Sequence, residues 1–248
     1  MIKSILYVVI ILFGLTSIVF AAEDFNDAWV YFLKEKYNVS ERIVDRYLKS
    51  EESVPEYLYL KSLLLMKRSR FEDARAYCDK LSKFGGKWGE YALIGRADTF
   101  FLSGKFCDAD ILYDTFISRF PRSEMISDVV YKHGLCFRKQ GSWSKARESF
   151  DLLIDRYPSS LSSSYARRIL DENEFYFTIQ VGSFLNYDNA YNLSKKLTSK
   201  GFDSYIKKVV HKGKFYYRVR IGKFDNRDQV ESAFKSLASL GYNGVIYP

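Results

Sequence analysis

IQVGSF at Ile179–Phe184 and RIGKF at Arg220–Phe224 are two copies of one phrase, and together they decide the fold of the last third of the chain. Sliding that third by forty positions lays Val181, Gly182 and Phe184 over Ile221, Gly222 and Phe224. The match continues with Asn186 over Asn226, Asp188 over Asp228, Leu197 over Leu237, Gly201 over Gly241 and Ile206 over Ile246. Each copy reads as an alternating strand, a polar turn, an amphipathic helix that ends on glycine, and a second strand. Residues 175–248 are therefore expected to form a ferredoxin-like βαββαβ unit, with four strands on one side and two helices on the other.

Strand parity assigns the faces of that sheet. Phe177, Ile179 and Val181 share one side of the first strand, and Phe215, Tyr217, Val219 and Ile221 share one side of the third. Those sides are expected to pack under the helices, because side chains alternate along a strand. The other side carries Tyr176, Thr178 and Gln180, with Ser183 just past Gly182, and Tyr216, Arg218 and Arg220 from the third strand. Hydroxyls, an amide, an aromatic ring and two guanidinium groups on one sheet face suit a polyhydroxylated or anionic polymer better than plain solvent.

The QVGSF/RIGKF pair, the Tyr-Arg-Val-Arg third strand and the GFDSYI and GYNGVI returns resemble a SPOR domain over Phe175–Pro248. The resemblance implies binding to bacterial peptidoglycan, preferentially to glycan strands stripped of stem peptides, as at division septa. It also implies that Gln180, Ser183 and Tyr216 lie on the glycan-binding face. Arg218, Arg220, Tyr176 and Thr178 join them by parity.

Charge separates this segment from the rest. The chain carries a net +8; residues 175–248 hold 12 Lys/Arg against 5 Asp/Glu, while residues 22–174 hold 25 of each. A basic segment joined to a neutral one assigns the anionic partner to the basic segment. Removing a stem peptide leaves a lactyl carboxylate on each muramic acid, which makes a denuded strand such a partner. At the other end, Met1–Ala21 has one lysine followed by an apolar run from Ile5 to Phe20, short for a membrane span of about 20 residues. Val19-Phe20-Ala21 suits cleavage after Ala21, so residues 1–21 are expected to be a signal peptide, with an uncleaved anchor as the alternative. No cysteine stands near that site to take a lipid, and the chain is expected to work in the periplasm or another extracytoplasmic compartment.

Residues 22–172 are helical in pattern throughout, and they also repeat. Tyr91–Pro121 aligns with Val129–Pro158, matching Ala97 with Gly134, Gly104 with Gly141, Ala109 with Ala146, and Pro121 with Pro158. Residues 56–86 fit the same frame through Ala74, Cys78 and Leu81. Small residues allow two helices to approach, glycines end the first helix of each pair, and prolines stop the second. The pattern resembles the tetratricopeptide (TPR) family, with three repeats, a degenerate helical pair at 25–50 before them and a capping helix at 163–171. The resemblance implies an all-α solenoid whose groove takes an unidentified envelope or division protein.

Other functions fit less well. A glycan hydrolase or amidase needs paired carboxylates or a zinc set, and neither pattern is present; the chain reads as non-enzymatic, with no cofactor and no metal. His133 and His211 are isolated, and Cys78, Cys107 and Cys136 lack metal-site spacing and read as small apolar groups. The aromatic signature of an RNA-recognition fold is absent, so no nucleic-acid partner is expected. The sequence thus describes an envelope adaptor, with a wall-tethered scaffold for outer-membrane protein assembly as the alternative.

Overall fold

The computed structural model describes residues 25–49 and 54–248; the expected signal segment, residues 1–21, lies outside them. The chain divides into two compact units, Met1–Pro121 and Arg122–Pro248. No helix among the described residues is long and apolar enough to cross a membrane.

The first unit is a run of helical pairs: α1 (25–33), α2 (Tyr37–Lys49), α3 (Pro55–Lys67), α4 (Phe71–Ser82), α5 (Gly86–Leu102) and α6 (Phe106–Arg119). The degenerate pair expected at 25–50 is α1 and α2. Small residues sit where the helices cross. Ala74 and Ala109 are fully buried, and a Cβ on Gly95 of α5 would stand 2.7 Å from the Cys78 sulfur of α4. Gly104 follows α5 with φ +79°, a left-handed turn that suits glycine at a helix end. Among the described residues of this unit one charged side chain is buried: Lys61 reaches Glu41 at 2.8 Å and Asp45 at 2.5 Å. Burial of Cys78 pushes its thiol up to about 11, in keeping with a packing role, whereas Cys107 is exposed.

The second unit holds α7 (Ile126–Gln140), α8 (Trp143–Arg156) and α9 (Leu161–Glu172), followed by β1 (Phe177–Phe184), α10 (Tyr187–Thr198), β2 (Ser204–His211), β3 (Lys214–Phe224), α11 (Arg227–Ser239) and β4 (Val245–Tyr247). Gly134 of α7 lets α8 approach closely, since a Cβ there would lie 2.6 Å from the buried Phe150 ring. Ser160 caps α9 by accepting from the Ser163 amide at 3.0 Å, so this helix starts two residues before the expected position.

The sheet runs in the order β2-β3-β1-β4 with antiparallel neighbours, the ferredoxin-like arrangement that the repeat implies. Symmetry reaches the caps: Asn186 accepts from the Asp188 amide before α10, and Asn226 from the Gln229 amide before α11. Under the two helices, Phe177, Ile179, Val219 and Ile221 pack with Ala190, Leu197, Val230 and Leu237.

The last helices share a compact unit with this sheet, although residues up to 172 read in sequence as one array. The α7–α8 turn explains why. The Trp143 indole donates to the Asp225 carbonyl at 2.8 Å and meets the Phe177 ring edge-on at 4.9 Å. Gly141, with φ +79°, brings backbone so near that an added Cβ would lie 2.9 Å from that same ring. Phe177 is 1% exposed, so a residue of the first strand is covered partly by the helical hairpin.

Candidate functional site

The sheet face opposite α10 and α11 is built by strand alternation and two register shifts. Along β1 and β3, Gln180 pairs with Arg220, then Gly182 with Val219, and Ser183 with Arg218. Val181 is the extra residue, so it is only half-buried and Gly182 takes the core-side place. Strict alternation would turn Ser183 toward the core; the bulge returns it to the open face beside Arg218. A second shift lies between Phe177/Phe224 and Ile179/Ile221, with the extra residue on β3. There Gly222 has φ +64°, and its missing Cβ admits the Phe224 ring, which would otherwise approach to 2.4 Å. This shift turns Lys223 onto the open face, where its ammonium lies 5.1 Å from the Tyr176 ring centre.

Three of the seven expected residues are already engaged. Thr178 is 1% exposed; its hydroxyl donates to the Ile221 carbonyl at 3.0 Å and lies 3.2 Å from the Tyr205 hydroxyl. Arg220 is 5% exposed and paired with Glu174, Nη1 to Oε2 at 3.2 Å. Tyr176 also meets Glu174, its hydroxyl donating at 3.1 Å, and burial, the nearby Tyr205 hydroxyl and the Glu174 charge raise its pKa. Gln180, Tyr216 and Arg218 are half-buried and Ser183 is exposed. Three polar atoms on this face are enclosed yet have no hydrogen-bond partner among the described residues: Gln180 Oε1, Arg218 Nε and Arg220 Nε. Phe215, assigned by parity to the covered face, is 54% exposed, with Lys208 Nζ 4.0 Å from its ring centre.

Sequence reading missed Tyr205, Lys207, Lys223 and Glu174. Lys207 pairs in register with Arg218 and Tyr205 with Arg220, so alternation along β2 could have found both. Glu174 precedes the strand, and no periodicity marks it. Burial works to raise the Glu174 pKa, but the Lys207 hydrogen bond and the Arg220 charge outweigh it and hold the carboxyl below its ordinary range. Residues 204–224 hold seven Lys/Arg and no Asp/Glu, so the β2–β3 hairpin carries the whole charge excess of residues 175–248. Beside it lies a groove of about 670 Å³, lined by Glu174, Tyr176, Tyr205, Lys207 and Lys223 among others.

Helical hairpins followed by a four-stranded sheet with a basic, hydrogen-bonding open face define a repeat protein that ends in a small binding domain. Residues 173–248 match the SPOR domain family model, and residues 128–160 match a tetratricopeptide repeat model. The chain carries TPR-type helices and a C-terminal SPOR domain. Similar solved structures include the SPOR domain of RlpA from Pseudomonas aeruginosa, 27% identical over 29% of this chain and 97% of that one, with a TM-score of 0.27. The peptidoglycan binding domain of the B. subtilis cell wall lytic enzyme CwlC is 27% identical over 29% of this chain and 85% of its own, with a TM-score of 0.25. YrrB, a TPR protein with an unusual peptide-binding site, is 18% identical over 57% of this chain and 71% of its own, with a TM-score of 0.47. No curated protein sequence matches the chain.

Proposed function

We propose that the protein is a non-enzymatic adaptor of the cell envelope: residues 173–248 bind peptidoglycan glycan strands, and the helical repeats recruit a partner protein. The family match supplies the ligand class, since both matched families are binding or scaffold domains. One observation carries the assignment to the open face. Gln180 Oε1 and Arg218 Nε are enclosed polar atoms without a hydrogen-bond partner among the described residues, whereas buried polar groups in folded proteins are nearly always paired. An acceptor and a donor left open on neighbouring strands suit a ligand rich in N-acetyl, hydroxyl and carboxylate groups.

In this reading Gln180 and Ser183 exchange hydrogen bonds with the sugar amides and hydroxyls, and Tyr216 lies against a ring. Arg218, free of any carboxylate partner among the described residues, takes the lactyl carboxylate exposed by stem-peptide removal. Preference for denuded strands follows from that contact, and enrichment at septa follows where such strands collect. Export across the cytoplasmic membrane completes the reading, since the ligand lies outside it.

The test is co-sedimentation of the chain from Ala22 onward with purified wall sacculi, untreated or treated with an amidase that removes stem peptides. A sheltered charge-assisted contact is worth about 1.5–3 kcal/mol, so Arg218→Ala should weaken binding to denuded wall by roughly tenfold or more. Binding to untreated wall should fall less. A parent chain that stays in the supernatant with both walls refutes the assignment.

A further inference from the structure

Glu172, the last residue of α9, and Glu174, in the junction just beyond it, lie against the basic sheet face. Glu174 contacts Lys207 at 2.8 Å and Arg220 at 3.2 Å, and Glu172 reaches Lys207 at 3.4 Å. The junction is also tied to the helices on its other side. Arg138 of α7 donates from Nη2 to the Glu174 carbonyl at 3.1 Å. Arg147 of α8 donates to the Asn173 side chain and lays its guanidinium 3.7 Å from the Phe175 ring centre. A short acidic segment is thus pinned between the last helical hairpin and the face assigned to the ligand.

We propose that this junction is a built-in competitor for the ligand's anionic groups, with Glu174 as the specificity-determining residue. The inference rests on the wall-binding reading of the same face. Two cations of the face, Lys207 and Arg220, are neutralised from within, while Arg218 and Lys223 have no such carboxylate among the described ion pairs. An uncharged glycan asks nothing of Lys207 or Arg220 and can use the neutral contacts. A glycan bearing carboxylates gains from these two cations only when it displaces Glu174. Displacement is possible because each carboxylate exchanges one partner for another: the ligand's group takes over the ammonium and guanidinium, and Glu174 turns to solvent. Glu174 therefore lowers the advantage of anionic strands over neutral ones and limits retention on any polyanion. The anchors on α7 and α8 give this competition a second role. Movement of the hairpin that drew Arg138 from the Glu174 carbonyl would loosen the junction and strengthen anionic binding, so the helical repeat and the wall site share one element.

Glu174→Gln keeps the shape and the hydrogen bond from Tyr176 while removing the charge. Its binding is compared with the parent's on amidase-treated sacculi and on a neutral N-acetylglucosamine oligomer. The ratio of affinities, anionic over neutral, should rise about three- to tenfold, and the rise should shrink in 0.5 M salt as the unpaired cations are screened. Because Arg220 is buried, the loss of its partner costs stability; Glu172→Gln, whose side chain is half exposed, provides the same test through Lys207 alone and should shift the ratio the same way by a smaller factor. A parent that binds sacculi, with both variants folded and the ratio unchanged or lowered, overturns the competitor. A parent that binds neither wall overturns the wall-binding reading, and the competitor with it.

Discussion

Trp143→Ala should destabilise the sheet although Trp143 lies on the helical side of the residue-172 boundary. Its indole covers Phe177, which is 1% exposed, and donates to the Asp225 carbonyl in the loop that precedes α11. Removing a fully buried Trp costs about 3–5 kcal/mol, and a half-buried one about half of that. Adding the lost hydrogen bond of about 1 kcal/mol gives a net loss of about 2.5–3.5 kcal/mol for the unit. Amides of β1 and β3 that exchange only through global opening should then exchange roughly 60- to 300-fold faster. Native-state hydrogen exchange of the whole chain reads this strand by strand. Faster exchange confined to α7 and α8, with β1 and β3 unchanged, would refute the reasoning and place a working domain boundary at residues 172–175.

Two further outcomes follow from single contacts. Gly134→Ala should lower the melting temperature of the unit, because the new Cβ meets the buried Phe150 ring at 2.6 Å; overpacking of this kind costs about 1–3 kcal/mol, read by calorimetry. Glu174 has its pKa depressed in the folded state, so its stabilising contribution is present above the ordinary carboxylate value of 4.5 and is lost as pH falls through the lower folded value. The urea midpoint of the parent should fall on acidification below that value, and Glu174→Gln should fall less; equal slopes in the two proteins would remove Glu174 from the account.

The architecture was legible because the sequence states it twice. Asn186 and Asn226 each cap their helix through the side-chain oxygen, and Gly201 and Gly241 close the helices with φ +88° and +80°, so repeated letters became repeated geometry. The helical pairs were legible for a similar reason, since Ala74, Ala109 and Ala146 are all fully buried at their crossings. The site was less legible because alternation counts residues and bulges break the count. Ser183 reaches the open face through one shift and Lys223 through the other; the place of Ser183 was expected from the family resemblance, but neither shift was. Arg220 and Thr178 lie on the face that parity assigned, but parity does not report that each is already bonded.

The junction escaped sequence reading for a different reason. Asp171-Glu172-Asn173-Glu174 reads as a polar stop after a helix, and a change of charge balance beside it reads as a domain edge. Both readings treat the segment as a spacer. In the folded unit it carries contacts on two sides, with Arg138 and Arg147 holding it to the helices and Lys207 and Arg220 to the sheet. Trp143 adds an apolar contact to Phe177 at the same junction. A tether of this kind could have been flexible, leaving the binding face independent of the repeat that precedes it. Ion pairs and an aromatic seal instead make the last helical hairpin part of the structure on which the face depends. A substitution on α7 or α8 is therefore expected to change what the sheet binds, without touching the ligand itself.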